Sequence, residues 1–201
     1  MIEYLMALDE AIFLLLNGLH QDWLDPIMFT ISGKLEWIPL YVFIVSWLIY
    51  KYKKAGLFAL LALIITIIVT DQITSGFMKP FFERLRPSHD PDLKDIVHII
   101  NGYRGGLYSF ASSHASNSFA LSTFLWLLLR KKERWAGYLF TWAAVVSYSR
   151  IYLGVHFPGD VVTGALVGVL TANLVFILYK KTLHKYHLPG IKNLNKAPHH
   201  T

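Results

Sequence analysis

Long apolar runs separated by short clusters of charge organise this chain. Residues 37 to 50, WIPLYVFIVSWLIY, are apolar almost throughout and stop at Lys51, Lys53 and Lys54. With Leu35 and Glu36 at the edge, that run predicts a short or tilted membrane-crossing helix. The next begins at Ala55 with fifteen consecutive uncharged residues, Thr66 their one hydroxyl, then meets Asp71 and ends near Lys79. At 1.5 Å per residue it reaches about 37 Å, enough to cross a bilayer and project above the headgroups. Between Pro80 and Ser109 the chain turns polar, punctuated by Pro87, Pro91, Gly102, Gly105 and Gly106; a loop this long is expected to be functional. Apolar runs resume from about Ser112 to Leu129, from Trp135 to Tyr148 and from Pro158 to Tyr179. In the last run Gly164, Ala165, Gly168 and Ala172 leave room for close helix contact.

The N-terminal stretch differs. Residues 4 to 19 are largely apolar but carry Asp9 and Glu10 at their middle, and each carboxylate would cost a few kcal/mol at the centre of a bilayer. An interfacial helix is the expectation, with a first membrane span as the alternative. Asp22 to Lys34 is expected to lie along the surface, with Trp23 and Trp37 at headgroup height. The pattern therefore predicts an all-α integral membrane bundle of about five to six transmembrane helices. One membrane domain would occupy 1–185, with residues 1–35 as interfacial helices and 80–110 as an extracytoplasmic loop. Residues 186–201, with His187, His199 and His200, are expected as a disordered cytoplasmic tail that holds no metal.

Composition supports the class: 54% of the 201 residues are hydrophobic and the mean hydropathy is +0.42, too apolar for an ordinary soluble domain. The chain has no cysteine, which removes disulfides and thiolate metal sites. A net charge of +6 raises nucleic-acid binding, but the basic residues cluster beside apolar runs, the pattern of membrane-flanking loops. No nucleic-acid partner is expected. A cleaved signal peptide is not expected either, since the first twenty residues lack a basic start and a small-residue cleavage site. Positions 51–54, 130–134 and 180–185 hold ten Lys or Arg, which places those ends in the cytoplasm by the positive-inside rule. The opposite ends then face outward.

That outward face gathers the chemistry. Lys79 and Arg86 from one segment, Ser112, Ser113 and His114 from a second, and Arg150, His156 and Asp160 from a third all fall on it. Three cations with hydroxyls and backbone donors at a helix start suit a tetrahedral anion, and phosphate is the natural one. Asp160 lies four residues beyond His156, close enough to hold its imidazole in one tautomer if Pro158 opens a helix. His156 then reads as the nucleophile of a phosphohistidine mechanism and His114 as the acid that protonates the leaving oxygen. Lys79, Arg86 and Arg150 would stabilise the equatorial oxygens. Glu83, Asp90, Asp92 and Asp95 are scattered along the loop, so metal-independent chemistry without a cofactor is expected. Each cation also has a plainer reading: Lys79 and Arg86 as snorkelling residues, Ser112 or Ser113 as a helix cap. Asp71 reads as a substrate-path residue or as a hydrogen-bond partner of a neighbouring span. Arg84 and Arg104 are expected as rim or headgroup contacts, and Tyr103, Tyr108, Tyr148 and Tyr152 as an outer aromatic belt with one of them lining the site.

KPFFERLRP at 79–87, SSH at 112–114 and SRIYLGVHFPGD at 149–160 resemble the three signature motifs of the type 2 phosphatidic acid phosphatase (PAP2) superfamily. The resemblance implies a single PAP2-like membrane domain and the same division of roles among the residues just named. The second motif departs from the usual Pro-Ser-Gly-His, reading Ala111-Ser112-Ser113-His114, and loss of the glycine is expected to affect turnover or substrate preference. It further implies a lipid (di)phosphate phosphatase of a bacterial-type plasma membrane with an extracytoplasmic site. The small outward-facing form resembles undecaprenyl pyrophosphate phosphatases and phosphatidylglycerophosphatase B-like enzymes, so undecaprenyl diphosphate is the first substrate expected. Phosphatidic acid, phosphatidylglycerol phosphate and lipid A 1-phosphate are the alternatives. A phospholipid-binding transporter without catalysis is the rival class; it would keep the three cations but would not need His114 or the His156–Asp160 pair.

Overall fold

A helix satisfies every backbone group within hydrocarbon, and among the described residues the apolar runs are all helical. The computed structural model describes residues 2–188, so the tail beyond Leu188, with His199 and His200, lies outside the described residues. The helices are α1 (Ile2–Asn17), α2 (Asp25–Ser32), α3 (Ile38–Tyr52), α4 (Lys54–Asp71), α5 (Lys79–Phe82), α6 (Ser113–Leu129), α7 (Tyr138–Tyr152) and α8 (Pro158–Lys185). A π-helical segment, Gln72–Met78, joins α4 to α5 without a break. The resulting helix Lys54–Phe82 and α8 are each long and apolar enough to cross a membrane, with mean hydropathies of 2.2 and 2.3. Helices α3, α6 and α7 are shorter and match the other three apolar runs, so the all-α membrane bundle expected from the pattern is the one observed.

α6 is the central helix. Ala120, Leu121, Phe124, Leu125, Leu128 and Leu129 are buried along it, because α4, α7 and α8 surround it. It has no outward face left to be polar or lipid-exposed. Close approach to α8 depends on glycine: a Cβ on Gly164 would stand 2.4 Å from the Ser112 carbonyl oxygen, and one on Gly168 2.2 Å from that of Ser116. Outside this core, Leu61, Ile64, Ile68, Leu166, Leu170 and Leu174 stay exposed on α4 and α8, as expected of side chains that face lipid tails.

Smaller apolar clusters cover the site end. Phe13 of α1 packs with Leu93, Val97, Ile151 and Phe157, and Ile100 packs with Tyr152, Leu153 and Val155. α1 is tied to this end of the bundle: Asn17 Nδ2 donates to the carbonyls of His98, Ile151 and Tyr152 at 3.1, 3.2 and 2.9 Å. The 83–112 segment therefore has its own buried anchors and lies folded onto the α7–α8 turn. Gly154 makes that turn, at φ +70°, where a Cβ would lie 2.4 Å from Val97 Cγ1. Only glycine meets both demands. Tyr152 departs from the expected aromatic belt: it is fully buried, its hydroxyl donating to Asp25 Oδ1 at 2.7 Å. Burial beneath α2 and the loop outweighs any interfacial preference of the ring.

Candidate active site

Pro158 opens α8, so Asp160 falls in the helix's first turn, where its charge is favoured by the helix dipole. Asp160 Oδ2 reaches back to accept the Phe157 N–H at 2.9 Å, half of a capping box. The same oxygen faces His156 Nδ1 at 3.4 Å. With a carboxylate there, Nδ1 carries the ring proton and Nε2 presents its lone pair. Arg86 Nη1 stands 3.4 Å from that Nε2, so the ring nitrogen with the free lone pair and a guanidinium share one point.

His156 is 1% exposed. Burial first, then the charges of Arg86, Arg150, Lys79 and Arg84, hold its proton affinity well below that of an ordinary histidine. The ring is therefore neutral near pH 7 and able to attack. Arg86 is fixed by the carbonyls of Tyr108 and Val155, each at 3.2 Å. Burial and the neighbouring Arg150 draw its guanidinium down to about 10, which leaves it charged at neutral pH. Gly105, at φ +67°, lets the loop pass over it, since a Cβ there would lie 2.8 Å from Arg86 Nη1.

Arg150 comes from the last turn of α7 and is 2% exposed. It donates to Ser32 Oγ of α2 and, at 3.2 Å, to the Tyr103 hydroxyl. Its Nε is buried with no acceptor among the described residues, an unmet donor of the kind an anion satisfies. The Lys79 ammonium, just beyond the π-helical segment, makes no hydrogen bond among the described residues; its electrostatic neighbours are Arg86, Asp160, Arg150 and Asp71. Tyr103 is thus the tyrosine of the expected belt that lines the site.

Ser112 caps α6, its Oγ accepting the Ala115 N–H at 3.4 Å, while its own N–H donates to the Asp160 carbonyl at 3.0 Å. What it can still offer an anion is its hydroxyl proton. The N–H groups of Ser113 and His114 open the helix and have no intrahelical acceptor. Ser113 takes an ordinary helical conformation, and its Oγ shares hydrogen bonds with Ser75 at 2.7 Å and Thr74 at 3.3 Å. The side chain that replaces the usual glycine is thus bound to the π-helical segment. His114 is half-buried and its ring is bonded to nothing among the described residues; burial acts on it first, then the charges of Arg150, His156, Lys34 and Lys79. All eight residues singled out from the sequence are brought to one end of the bundle, and Lys34 joins them from the α2–α3 turn.

Two residues were not read as part of the site. Arg84, expected at the rim, instead donates through Nη1 to Asp160 Oδ1 at 3.0 Å and pairs through Nη2 with Asp9 Oδ2 at 2.8 Å. Asp9 lies in α1, and no local spacing links it to the site; its one sequence signal was a carboxylate without a partner inside an apolar run. Asp71 accepts from Asn117 Nδ2 of α6 at 3.1 Å and from Ser75 Oγ at 3.3 Å, the neighbouring-span reading of that residue. Arg104 braces the loop through the Ser88 carbonyl.

Comparison with known proteins places this geometry. The family model described as PAP2 superfamily matches residues 55–183. A lipid A 4'-phosphatase of Bacteroides thetaiotaomicron is 40% identical over 184 residues, covering 90% of this chain and 81% of that one. An undecaprenyl-diphosphatase of Sulfolobus acidocaldarius is 30% identical over 138 residues, covering 66% and 58%. Among solved structures, a transmembrane PAP2 type phosphatidylglycerolphosphate phosphatase from Bacillus subtilis aligns with a TM-score of 0.63 at 28% identity, over 90% of this chain and 87% of that one.

Proposed function

This chain belongs to the PAP2 superfamily and is a membrane lipid phosphatase, and from that premise we propose that it hydrolyses the 4'-phosphate monoester of a lipid A-type glycolipid. His156 Nε2 attacks phosphorus in line, the P–N bond forms, and the bond from phosphorus to the lipid oxygen breaks. His114 gives that oxygen its proton. Lys79, Arg86, Arg150, the Ser112 hydroxyl and the free N–H groups of Ser113 and His114 receive the equatorial oxygens. Water then attacks the phosphohistidine, His114 accepting its proton, and inorganic phosphate leaves.

The observation that carries the reaction is the orientation of His156, with Nδ1 on Asp160 and Nε2 on Arg86. For the lipid, the support is the greater identity and coverage of the lipid A 4'-phosphatase relative; the undecaprenyl-diphosphatase relative matches less of both chains. Lipid A phosphate therefore takes precedence over undecaprenyl diphosphate, the substrate first expected. An extracytoplasmic site is the orientation supported by the ten basic residues at the opposite ends of the spans.

Phosphate release by purified protein in EDTA, at fixed detergent, tests the reading across lipid A, undecaprenyl diphosphate, phosphatidylglycerol phosphate and phosphatidic acid. Release is expected to be fastest from lipid A, leaving the 1-phosphate product by mass spectrometry. Faster release from undecaprenyl diphosphate would overturn the lipid assignment, and no release from any lipid would overturn the reaction. His156→Ala is expected to abolish both turnover and trapped phosphoenzyme.

A further inference from the structure

Arg84 is not part of the phosphate cradle, yet carboxylates from two distant segments converge on it. One face of its guanidinium lies against the Phe157 ring, with Cζ 3.9 Å from the ring centroid. Its edges meet Asp160 Oδ1 at 3.0 Å and Asp9 Oδ2 at 2.8 Å. The other oxygen of Asp9 accepts the Gly159 N–H at 2.7 Å. Asp9 thus holds Arg84 and the start of α8 together, from a helix outside the matched family region of residues 55–183.

The arrangement answers a physical difficulty of the nucleophile. Asp160 is fully buried, and a buried carboxylate without a cation takes up a proton rather than remain charged. Protonated, it could not stabilise the positive charge that His156 acquires as its nitrogen bonds to phosphorus. A single guanidinium against Asp160 keeps it ionised but also cancels its charge. The second carboxylate, Asp9, leaves the cluster net negative towards His156. It also fixes the guanidinium from the far side, so that Asp160 has one rotamer in which Oδ1 meets Arg84 and Oδ2 meets Nδ1.

We propose that Arg84 and Asp9 are a positioning pair that holds Asp160 ionised and oriented behind His156, which makes α1 a working part of the active site. The inference rests on His156 being the nucleophile. A brace that merely fastened α1 to the bundle would lower stability and leave the turnover of folded protein unchanged.

The test uses full-length protein in detergent with 4-nitrophenyl phosphate, whose soluble form separates turnover from lipid access, and folding of every variant is followed by thermal unfolding. Arg84→Met keeps the aliphatic stem and is expected to lower kcat about 100-fold with KM nearly unchanged. Arg84→Lys, which can reach one carboxylate, is expected to recover part of that loss, and Asp9→Asn to lose about tenfold by the same argument. In an Asp160→Asn background Arg84→Met should cost nothing further, because a residue that acts through another has no effect once that other is gone. Full kcat in folded Arg84→Met, or an undiminished second loss in the Asp160→Asn background, would overturn the proposal. If Arg84→Met does not fold, Asp9→Asn and Arg84→Lys carry the same kinetic test.

Nitrogen NMR of labelled histidine reads the proposal without turnover. The wild type is expected to show His156 as the Nδ1–H tautomer and Asp9→Asn a mixture of tautomers; an unchanged His156 signal counts against positioning. Should the wild type release no phosphate from any substrate, the proposed function falls while the NMR result still decides this inference.

Discussion

His156 and His114 differ in how they are held, and that difference fits the division of work proposed for them. His156 has a partner on each ring nitrogen, so it is aligned before substrate arrives. The His114 ring is bonded to nothing among the described residues, so in the proposed reaction it is free to turn towards the leaving oxygen. His114→Ala is expected to slow a lipid phosphate about 1000-fold but 4-nitrophenyl phosphate only about 10-fold, because a nitrophenolate leaves without a proton. Equal slowing of the two substrates would remove His114 from the acid role. The environment of His156 also sets its pH behaviour. Burial, Arg86 and Arg150 all disfavour the imidazolium, so nitrogen NMR of the phosphate-free protein should show the ring still neutral at about pH 6.5, where an ordinary histidine is half protonated. The folded chain binds this proton less readily than an unfolded one, so acid below about pH 6.5 works against the fold at this residue. The pair His156 and Asp160 was legible because four residues after a histidine, with proline between, is a local pattern with one geometry. Arg84 and Asp9 were not, since an ion pair between residues so far apart leaves no spacing to read.

Helices were legible wherever hydrophobic runs were long enough to demand them, and less so where the backbone departs from a regular turn. The segment Gln72–Met78 is π-helical, and its mixed residues QITSGFM carry no periodicity from which a wider turn could be foreseen. Its effect is specific: Thr74 and Ser75 face Ser113 at the start of α6, and Lys79 emerges just beyond. The same contact explains why Ser113 is tolerated where glycine was expected, since a helical φ and two hydroxyl partners are what serine requires. Helix contact through small residues was legible in Gly164 and Gly168, and it makes a quantitative demand. In Gly168→Ala the added methyl meets the Ser116 carbonyl oxygen at 2.2 Å in the present backbone, so α8 must move away from α6. A loss of about 1–3 kcal/mol is expected, measured as a lowered unfolding midpoint in detergent. A variant as stable as the wild type would mean that the two helices separate freely.

Orientation belongs to the molecule as a whole, and the absence of cysteine makes it simple to measure. Ile96→Cys places a thiol on the site-end loop, where the native side chain is 65% exposed, and Lys131→Cys places one at the α6–α7 connection. On intact cells a membrane-impermeant maleimide is expected to label position 96 and spare position 131; the reverse would invert the protein. The spans are also unequal. α3 and α7 have fifteen residues each, about 22 Å of rise, whereas Lys54–Phe82 and α8 have 29 and 28, about 42 Å or more. Rings at and beside the two short helices meet, Trp37 and Tyr41 against Trp142, and Phe43 and Trp47 against Trp135 of the α6–α7 connection. A hydrocarbon layer about 30 Å thick exceeds the rise of either short helix, so it is expected to thin beside them. The layer is then thicker beside the two long helices than beside α3 and α7, and a lipid that approaches from the short side is expected to cross that change in thickness before it reaches the site.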